Sequence, residues 1–427
     1  MTKLEQFKLI NESSVAIPDE MDALILSGKG FEHLQLKRVP VPQPGANQFL
    51  ARVDAVFGCA SDSKLIENGK EHPLLYGWDI ERWPISIGHE ACITAVKIGD
   101  NLKEKISVGA TYALQPAINS RPITHRERYA NPASIDKVAI GYSLGGMFAE
   151  YILIPEEVIQ TNSLISYDTT QIPYFAAAFT EPLSCVYSAQ NQVSHIYKDG
   201  PLNPREVKLG LKRGGVTLIL GAGPMGIIHS ELAMTYKPQT IILSEPLEMR
   251  RRQAKQIIHP KAANRNIEFI LTTPDELPRV LQNVTKGRGV DDCISSLGIA
   301  KVQEESLNYL AKGGVANFFG GTKVGESVIT VDTRRIHYDS ITMVGSSGGD
   351  PSDVHAVMKL IEKREISPEL YVKRVGGLNA ALELVKSIRA QDFFGKGLIY
   401  PHIRHDLSPV DAWSYEKENE FLEAHLS

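Results

Sequence analysis

The chain has 427 residues, a length that favours two or three domains, and its 43% hydrophobic content suffices for a large core. The formal net charge of -4 lacks the basic excess with which proteins track a phosphate backbone, so nucleic acid is not an expected partner. Neither a long uncharged apolar run nor a hydrophobic signal region near the N-terminus is present. We therefore expect a cytoplasmic protein that does not span a membrane.

The four cysteines are far apart and form no CxxC pair, which suits a reducing compartment and free or metal-bound thiols. For three of them, Cys92, Cys185 and Cys293, we expect the role of a small buried hydrophobe.

The chain up to about residue 180 is predicted to be rich in β-strands and barrel-like. Extended runs at 22–26, 48–57 and 91–99 are separated by glycine- and proline-containing loops. The stretch 115–147 is polar and irregular, so we interpret it as an insertion-like region.

The pattern changes after Pro173, with a predicted helix at 176–193 and then a regular alternation of strands and helices. Strands separated by helices of this length predict a parallel, doubly wound sheet. The predicted strands are 216–220, 240–245, 267–271, 291–297, 315–320 and 341–345.

The segment after this sheet contains a predicted helix near 353–363, an extended run at 396–403 and a short acidic C-terminal helix. The simplest architecture returns this segment to the first domain. We therefore expect the nucleotide-type domain at 186–350 to be inserted into a catalytic domain made of 1–185 and 351–427.

The turn after the first strand of the alternation has the pattern GxGxxG. The first glycine permits a tight turn, the second lets the backbone approach a pyrophosphate, and the third lets helix and strand pack closely. The free N–H groups at the start of the helix then bind the phosphates. The position between a strand and a helix predicts a dinucleotide-binding turn at Gly221, Ala222, Gly223, Pro224, Met225 and Gly226.

An acidic residue, Glu245, ends the next predicted strand, where a carboxylate accepts hydrogen bonds from the ribose hydroxyls. A carboxylate there repels the extra phosphate of NADP, so NAD is the favoured cofactor. Three arginines follow, and one of them, such as Arg250, would reduce this electrostatic repulsion or stack on the adenine. NADP therefore remains a possible cofactor. The alternative is a solvated helix face for Arg250, Arg251 and Arg252.

Three separated patches of the β-rich part, at 58–62, 88–90 and 180–183, carry residue types that bind metals. Thiolate, imidazole and carboxylate together form a ligand set that zinc accepts with one position left open for water or substrate. The candidate ligands are Cys59, His89, Glu90 and Glu181.

At these patches the chain resembles the zinc-dependent medium-chain dehydrogenase/reductase superfamily, in its polyol-dehydrogenase branch. The resemblance extends to the Gly395–Lys396 approach to the last strand and departs at Ala60, where the family usually has glycine. It implies an α/β protein in which a Rossmann doubly wound parallel sheet is inserted into a β-rich GroES-like catalytic domain.

The resemblance also implies roles for the site residues. Cys59 and His89 would bind a catalytic zinc directly, while Glu90 and Glu181 would be direct or water-bridged ligands. Ser61 would pass a proton between the substrate oxygen and solvent. Asp62 would orient the imidazole. Many relatives hold a second zinc with four cysteines, but 99–147 contains none, so we predict one zinc per chain.

Within this branch, the long connection between the first two patches and the chain length look most like the bacterial reductases of L-sorbose 1-phosphate. Cations in the loops would bind a phosphate, and two tryptophans would stack on a sugar. The alternative for each of these residues is an ordinary role on the surface or in packing. The residues are Lys64, Lys70, Arg82, His125, Arg126, Arg128, Trp78 and Trp83.

Three other functions stay open: an unphosphorylated polyol dehydrogenase, an amino-alcohol dehydrogenase of the L-threonine type, and a non-catalytic NAD-binding protein. The intact set of ligand residues disfavours the third. As partners we expect a small sugar or sugar phosphate and further copies of the chain, in a dimer or tetramer.

Overall fold

The computed structural model describes residues 1–11, 16–323 and 325–426. These residues form two compact units, one made of 1–182 with 350–427 and the other of 183–349. The first is called the catalytic unit below, and the second the nucleotide unit.

The strands are β1 (Glu20–Leu26), β2 (Leu34–Pro40), β3 (Phe49–Phe57), β4 (Ile85–Ser86), β5 (Glu90–Ile98), β6 (Thr111–Leu114), β7 (Ala117–Ile118), β8 (Val138–Ala139), β9 (Tyr151–Ile154), β10 (Leu164–Ser166), β11 (Ser194–Tyr197), β12 (Glu206–Leu209), β13 (Val216–Leu220), β14 (Thr240–Ser244), β15 (Glu268–Thr272), β16 (Val290–Ser295), β17 (Leu310–Phe318), β18 (Thr342–Gly345), β19 (Val372–Gly377), β20 (Lys396–Tyr400) and β21 (Ser408–Pro409).

The α-helices are α1 (Lys3–Lys8), α2 (Ala60–Asn68), α3 (Glu156–Gln160), α4 (Tyr174–Asn191), α5 (Pro224–Ala233), α6 (Glu248–Asn264), α7 (Leu277–Thr285), α8 (Ala300–Ser306), α9 (Thr333–Asp339), α10 (Pro351–Glu362), α11 (Ala381–Ala390) and α12 (Tyr415–His425). Among the described residues, none of the helices combines the length and the apolar content required to cross a membrane.

The catalytic unit is built on an eight-stranded sheet in the order β10-β6-β5-β3-β20-β19-β21, with β9 also paired to β3, and a three-stranded sheet β2-β1-β4. The central strand β3 is apolar along most of its length and buried throughout. It runs antiparallel to both β5 and β20, so that Phe57 faces Glu90 on one side and Leu398 on the other. The end of β3 therefore lies beside the beginnings of two strands, and this edge of the sheet carries the candidate site.

The stretch 115–147 contains only two short strands, β7 and β8, in agreement with its irregular sequence. It is nevertheless not a peripheral insertion, because Ile118, Ile135, Val138 and Leu144 are buried in the main hydrophobic core of the catalytic unit. Its scattered apolar residues give no periodic signal, which is why the sequence suggested an insertion.

The nucleotide unit contains a six-stranded, entirely parallel sheet in the order β15-β14-β13-β16-β17-β18. Its order reverses between β13 and β16, which is the switch point of a doubly wound fold. The predicted first strand at 216–220 is confirmed to the residue. The antiparallel pair β11 and β12, which precedes the sheet, was not predicted from the sequence.

The cysteines form no disulfide. Cys92 and Cys293 are buried, as expected, whereas Cys185 and Cys59 are partly exposed.

Candidate functional site

The first patch forms a turn between β3 and α2, and Cys59 is the residue that precedes the helix. Its backbone is extended, with φ of -128° and ψ of 148°, and its N–H donates to Asp62 Oδ2 at 2.9 Å. The carboxylate of Asp62 thus closes the first turn of α2 and fixes the direction in which the thiol leaves the backbone.

The second patch places His89 immediately before β5. Gly88 has φ of +99°, and a Cβ there would lie 2.6 Å from Phe148 Cδ2, so only glycine fits this bend. His89 Nδ1 lies 3.0 Å from Oδ1 of the buried Asp62. A neutral imidazole that carries its proton on Nδ1, facing this carboxylate, leaves the lone pair of Nε2 for a metal, and Nε2 lies 3.2 Å from Ser61 Oγ.

The structure brings Cys59, His89 and Glu90 together, with one potential ligand atom from each within 4.8 Å of the others. Ser61 donates a hydrogen bond to Cys59 Sγ at 3.0 Å, on the same side as His89 Nε2. The donor set is a sulfur, a nitrogen and an oxygen, and the imidazole is oriented by a carboxylate as in protein zinc sites. These residues fit a zinc ion.

Lys396, at the start of β20, is a buried neighbour of this group that the sequence did not assign to the site. Its Nζ forms an ion pair with Glu90 Oε2, and both side chains are almost fully buried. Burial lowers the pKa of Lys396, but the charges of Glu90, Cys59 and Glu181 outweigh burial and raise this pKa overall. A lysine opening the otherwise apolar strand KGLIY was the signal available in the sequence.

Glu181 lies on α4, is 6% exposed and contributes to the field at Lys396. It is not part of the three-residue group defined by the 4.8 Å distances. Its role as a direct or water-bridged ligand therefore stays a prediction.

Two aromatic side chains that the sequence analysis missed lie next to the candidate site. The Tyr142 ring lies 5.4 Å from the His89 ring. The ring of His72 stacks on Tyr142 at 5.3 Å, with an angle of 29° between the planes. Neither residue lies in a recognisable motif, so the sequence gave no reason to select them.

The cations that the sequence proposed for phosphate binding fall into two groups. Arg82 and Arg128 lie over the Trp83 ring, at 4.3 and 5.8 Å, and Arg128 also lies 4.9 Å from the Trp78 ring. His125 meets Trp78 edge-on at 6.3 Å. Lys64 instead follows Ser61 on α2, while Lys70 and Arg126 are exposed.

The glycine turn of the nucleotide unit has the geometry that its sequence predicts. Gly221 adopts φ of +96°, and a Cβ on Gly226 would lie only 1.9 Å from Gly221 O. A Cβ on Gly223 would meet nothing within 4 Å, so this side of the turn is open to a ligand. Pro224 begins α5 directly after it, and Met225 follows in the first turn of the helix.

Glu245 lies beside this turn and is 2% exposed. Its Oε2 accepts the N–H of Ala222 at 2.8 Å, and its Oε1 accepts the N–H of Leu247 at 3.0 Å. Arg250 Nη1 lies 3.8 Å from the same carboxylate, whereas Arg251 donates to the Glu245 backbone carbonyl. Glu245 therefore presents a fixed negative charge next to the glycine turn.

Comparisons with known proteins agree with both units. The alcohol dehydrogenase GroES-like domain matches residues 45–162, and the zinc-binding dehydrogenase domain matches 224–363. The mannitol-1-phosphate 5-dehydrogenase of Aliivibrio fischeri is 29% identical over 394 residues, covering 90% of this chain and 87% of that protein. The L-sorbose 1-phosphate reductase of Klebsiella pneumoniae is 26% identical over 391 residues, covering 91% and 90%.

Solved structures share the fold. A zinc-binding dehydrogenase from Sinorhizobium meliloti, solved with NADP bound, aligns with a TM-score of 0.71 and 23% identity over 90% of this chain and all of that one. The 2R,3R-butanediol dehydrogenase of Bacillus subtilis aligns with a TM-score of 0.70 and 19% identity over 89% and 99%. The chain is accordingly an NAD(P)-dependent oxidoreductase rather than a non-catalytic binding protein. It belongs to the zinc-dependent medium-chain dehydrogenase/reductase family, in the polyol-dehydrogenase branch.

Proposed function

We propose that this protein interconverts a ketose phosphate and a hexitol phosphate, and that its substrate pair is L-sorbose 1-phosphate and D-glucitol 6-phosphate. The observation that carries the proposal is the group of Cys59, His89 and Glu90 beside the Ser61 hydroxyl. A phosphorylated sugar is favoured because the two relatives described above, similar along about nine-tenths of this chain, both have a sugar phosphate in their names.

In this proposal Cys59 and His89 hold the zinc directly, while Glu90 and Glu181 hold it directly or through water. When bound, zinc supplies a Lewis acid for the substrate oxygen and the nicotinamide supplies the hydride. The protein's own part is to orient these groups. Lys396 forms an ion pair with the carboxylate of Glu90, and both side chains are almost fully buried.

Ser61 is the proposed proton carrier. Its Oγ lies within hydrogen-bonding distance of both Cys59 Sγ and His89 Nε2, so a substrate oxygen that reaches this group also reaches the hydroxyl. On reduction of a ketone, Ser61 donates its proton to that oxygen and recovers one from solvent. Asp62 keeps the His89 tautomer fixed during this exchange.

The preferred cofactor in the proposal is NAD(H). The carboxylate of Glu245 accepts two backbone N–H groups, which fix its position beside the glycine turn, where the ribose of a bound cofactor would meet its charge. The extra phosphate of NADP(H) would meet this charge. Arg250, at 3.8 Å from the carboxylate, is the cation that we propose would receive such a phosphate, which keeps NADP(H) as the second candidate.

The decisive assay follows NADH oxidation by the zinc-loaded protein with L-sorbose 1-phosphate and with free L-sorbose at equal concentrations. We expect kcat/KM to favour the phosphate ester by two orders of magnitude or more, about 2.7 kcal/mol of transition-state binding. Equal values for the two sugars would point to an unphosphorylated polyol dehydrogenase. Activity restricted to L-threonine would move the protein to the amino-alcohol dehydrogenases.

A further inference from the structure

A buried cation, Lys396, lies beside the proposed metal-binding residues. Its Nζ forms an ion pair with Oε2 of Glu90, and the two side chains are only 5% and 2% exposed. One oxygen of the same carboxylate lies within 4.8 Å of the potential ligand atoms of Cys59 and His89. In the zinc-loaded protein the carboxylate of Glu90 can therefore bind two cations, the ammonium group and the metal ion.

The backbone of β20 fixes the place from which the ammonium group extends. The N–H of Lys396 donates to Tyr371 O at 2.8 Å, and the carbonyl of Gly397 accepts the N–H of Gly58, in the first patch, at 3.0 Å. Since β20 and β5 both run antiparallel to β3, Lys396 and Glu90 begin two strands at the same edge of the sheet. The ion pair is therefore held by the sheet itself, unlike a pair of mobile surface side chains.

The surroundings of the ion pair are apolar. Lys396 Nζ lies 5.8 Å from the centroid of the Phe57 ring. Phe57 is fully buried and meets the Phe179 ring edge-on at 5.9 Å. Charges that are buried in this way are weakly screened, so a fixed ammonium group has a strong effect on what the neighbouring carboxylate offers to a metal ion.

A carboxylate binds a metal ion through one oxygen or through both. An ammonium group that holds Oε2 of Glu90 leaves the other oxygen for the metal and reduces the negative charge that the carboxylate offers. A catalytic zinc site needs one position that its protein ligands do not fill. Holding back one oxygen of Glu90 keeps such a position open and lowers the affinity for the metal.

We propose that Lys396 is a positioning residue that restricts Glu90 to one oxygen, directly or through water, in its contact with the zinc ion. This inference rests on the proposed ligand set of Cys59, His89 and Glu90, and it does not depend on which sugar the enzyme reduces. Loss of a merely structural ion pair would disturb the ligands and weaken zinc binding. Loss of a restricting ammonium group strengthens zinc binding, so the two roles differ in the sign of the effect.

The test measures zinc affinity by competition with a chromophoric chelator, and the visible absorption of the cobalt-substituted protein. The variants are Lys396→Met, Lys396→Arg and the pair variant Lys396→Met with Glu90→Gln. Methionine removes the charge and keeps an unbranched side chain, whereas arginine keeps the charge and has a planar fork that binds both oxygens of a carboxylate. Lys386→Met, at an exposed lysine of α11, is the matched control.

We expect Lys396→Met to bind zinc about tenfold more tightly than the unmodified protein, or more, because Glu90 then offers the metal both oxygens and its full charge. Its cobalt form should absorb less in the visible range, since a higher coordination number weakens these bands. Lys396→Arg should bind zinc about threefold more weakly, or less tightly still. The pair variant should not bind zinc more tightly than the unmodified protein, because a neutral amide cannot supply the gain, and Lys386→Met should match the unmodified protein.

A zinc affinity of folded Lys396→Met at or below the unmodified value would overturn this role of Lys396. A gain in affinity that persists in the pair variant would overturn it too, because the gain would not come from Glu90. Removing one partner of a buried ion pair is strongly destabilising. If Lys396→Met does not fold for this reason, Lys396→Arg decides, and zinc binding as tight as that of the unmodified protein would overturn the role.

Glu90→Gln alone separates this inference from the proposals on which it rests. An unchanged zinc affinity of Glu90→Gln would reject Glu90 as a ligand, and the role of Lys396 would fail with it. A lower affinity of Glu90→Gln with no gain in Lys396→Met would keep Glu90 as a ligand and reject only the restriction by Lys396. The sugar specificity is decided separately, by the comparison of L-sorbose 1-phosphate with L-sorbose.

Discussion

Asp62 allows a sharp test of the proposed metal site, because its one buried carboxylate lies beside two of the proposed zinc ligands, Cys59 and His89. Its Oδ2 accepts the N–H of Cys59 at 2.9 Å, and its Oδ1 lies 3.0 Å from His89 Nδ1. In Asp62→Asn only one of the two positions remains an acceptor. If the amide oxygen stays with Cys59, the NH₂ group faces His89 and favours the tautomer that carries its proton on Nε2.

The expected loss of zinc affinity follows from this change of the His89 tautomer. Nε2 must be unprotonated to bind a metal, so zinc binding now has to reverse an existing hydrogen bond. Loss of such an orienting partner lowers metal affinity by about 10- to 100-fold, or about 1.4–2.7 kcal/mol. Asp62→Ala removes both acceptors and should weaken zinc binding further and also destabilise the start of α2.

The assay is competition for zinc between the protein and a chromophoric chelator at constant pH, with NADH binding followed by fluorescence on the same samples. NADH binding should not change, since the glycine turn lies in the nucleotide unit. Asp100→Asn, at an exposed aspartate, is the control and should match the unmodified protein. A zinc affinity of Asp62→Asn within twofold of the unmodified value would refute the reasoning.

Elemental analysis should find one zinc per chain, and two zincs, or none after metal-replete purification, would contradict the ligand set. Cys59→Ser and His89→Ala should abolish turnover while leaving NADH affinity within about threefold; a parallel loss of both in a folded protein would reject the separation of the two sites. Glu245→Ser should reduce or invert the preference for NADH over NADPH, measured as the ratio of kcat/KM for the two cofactors. A large preference of the unmodified enzyme for NADPH would contradict the proposed role of Glu245. Burial raises the pKa of Glu418 from its ordinary 4.5 to about 7, although Glu418 accepts hydrogen bonds from Tyr400 Oη and two backbone N–H groups of α4. The stabilising contribution of Glu418 is therefore present below pH 4.5 and is lost as the pH rises through 7. From pH 5 to pH 8 the urea midpoint of the protein should decrease more than that of Glu418→Gln, and parallel pH profiles would contradict this.

The sequence predicted the parts of this protein that depend on near neighbours. The strand at 216–220 and the turn from Gly221 to Gly226 are contiguous, and the close approach of Gly226 to Gly221 O needs only the residues between them. The alternation of strands and helices that follows is also a local pattern, and it sufficed to predict the doubly wound sheet. The candidate zinc ligands could be selected from the sequence because each patch adjoins the end of a predicted strand or lies in a predicted helix.

What the tertiary structure alone decided are the partners of these residues. Lys396 reaches Glu90 because β20 and β5 both flank β3, and this sheet order has no trace in the local periodicity of any strand. Tyr142 and His72 come from irregular segments without a periodic pattern, so only the packing of distant segments places the Tyr142 ring beside His89 and the His72 ring on Tyr142. Hydrophobic periodicity reports the face that a segment buries, whereas the identity of the group across that face depends on how distant segments pair.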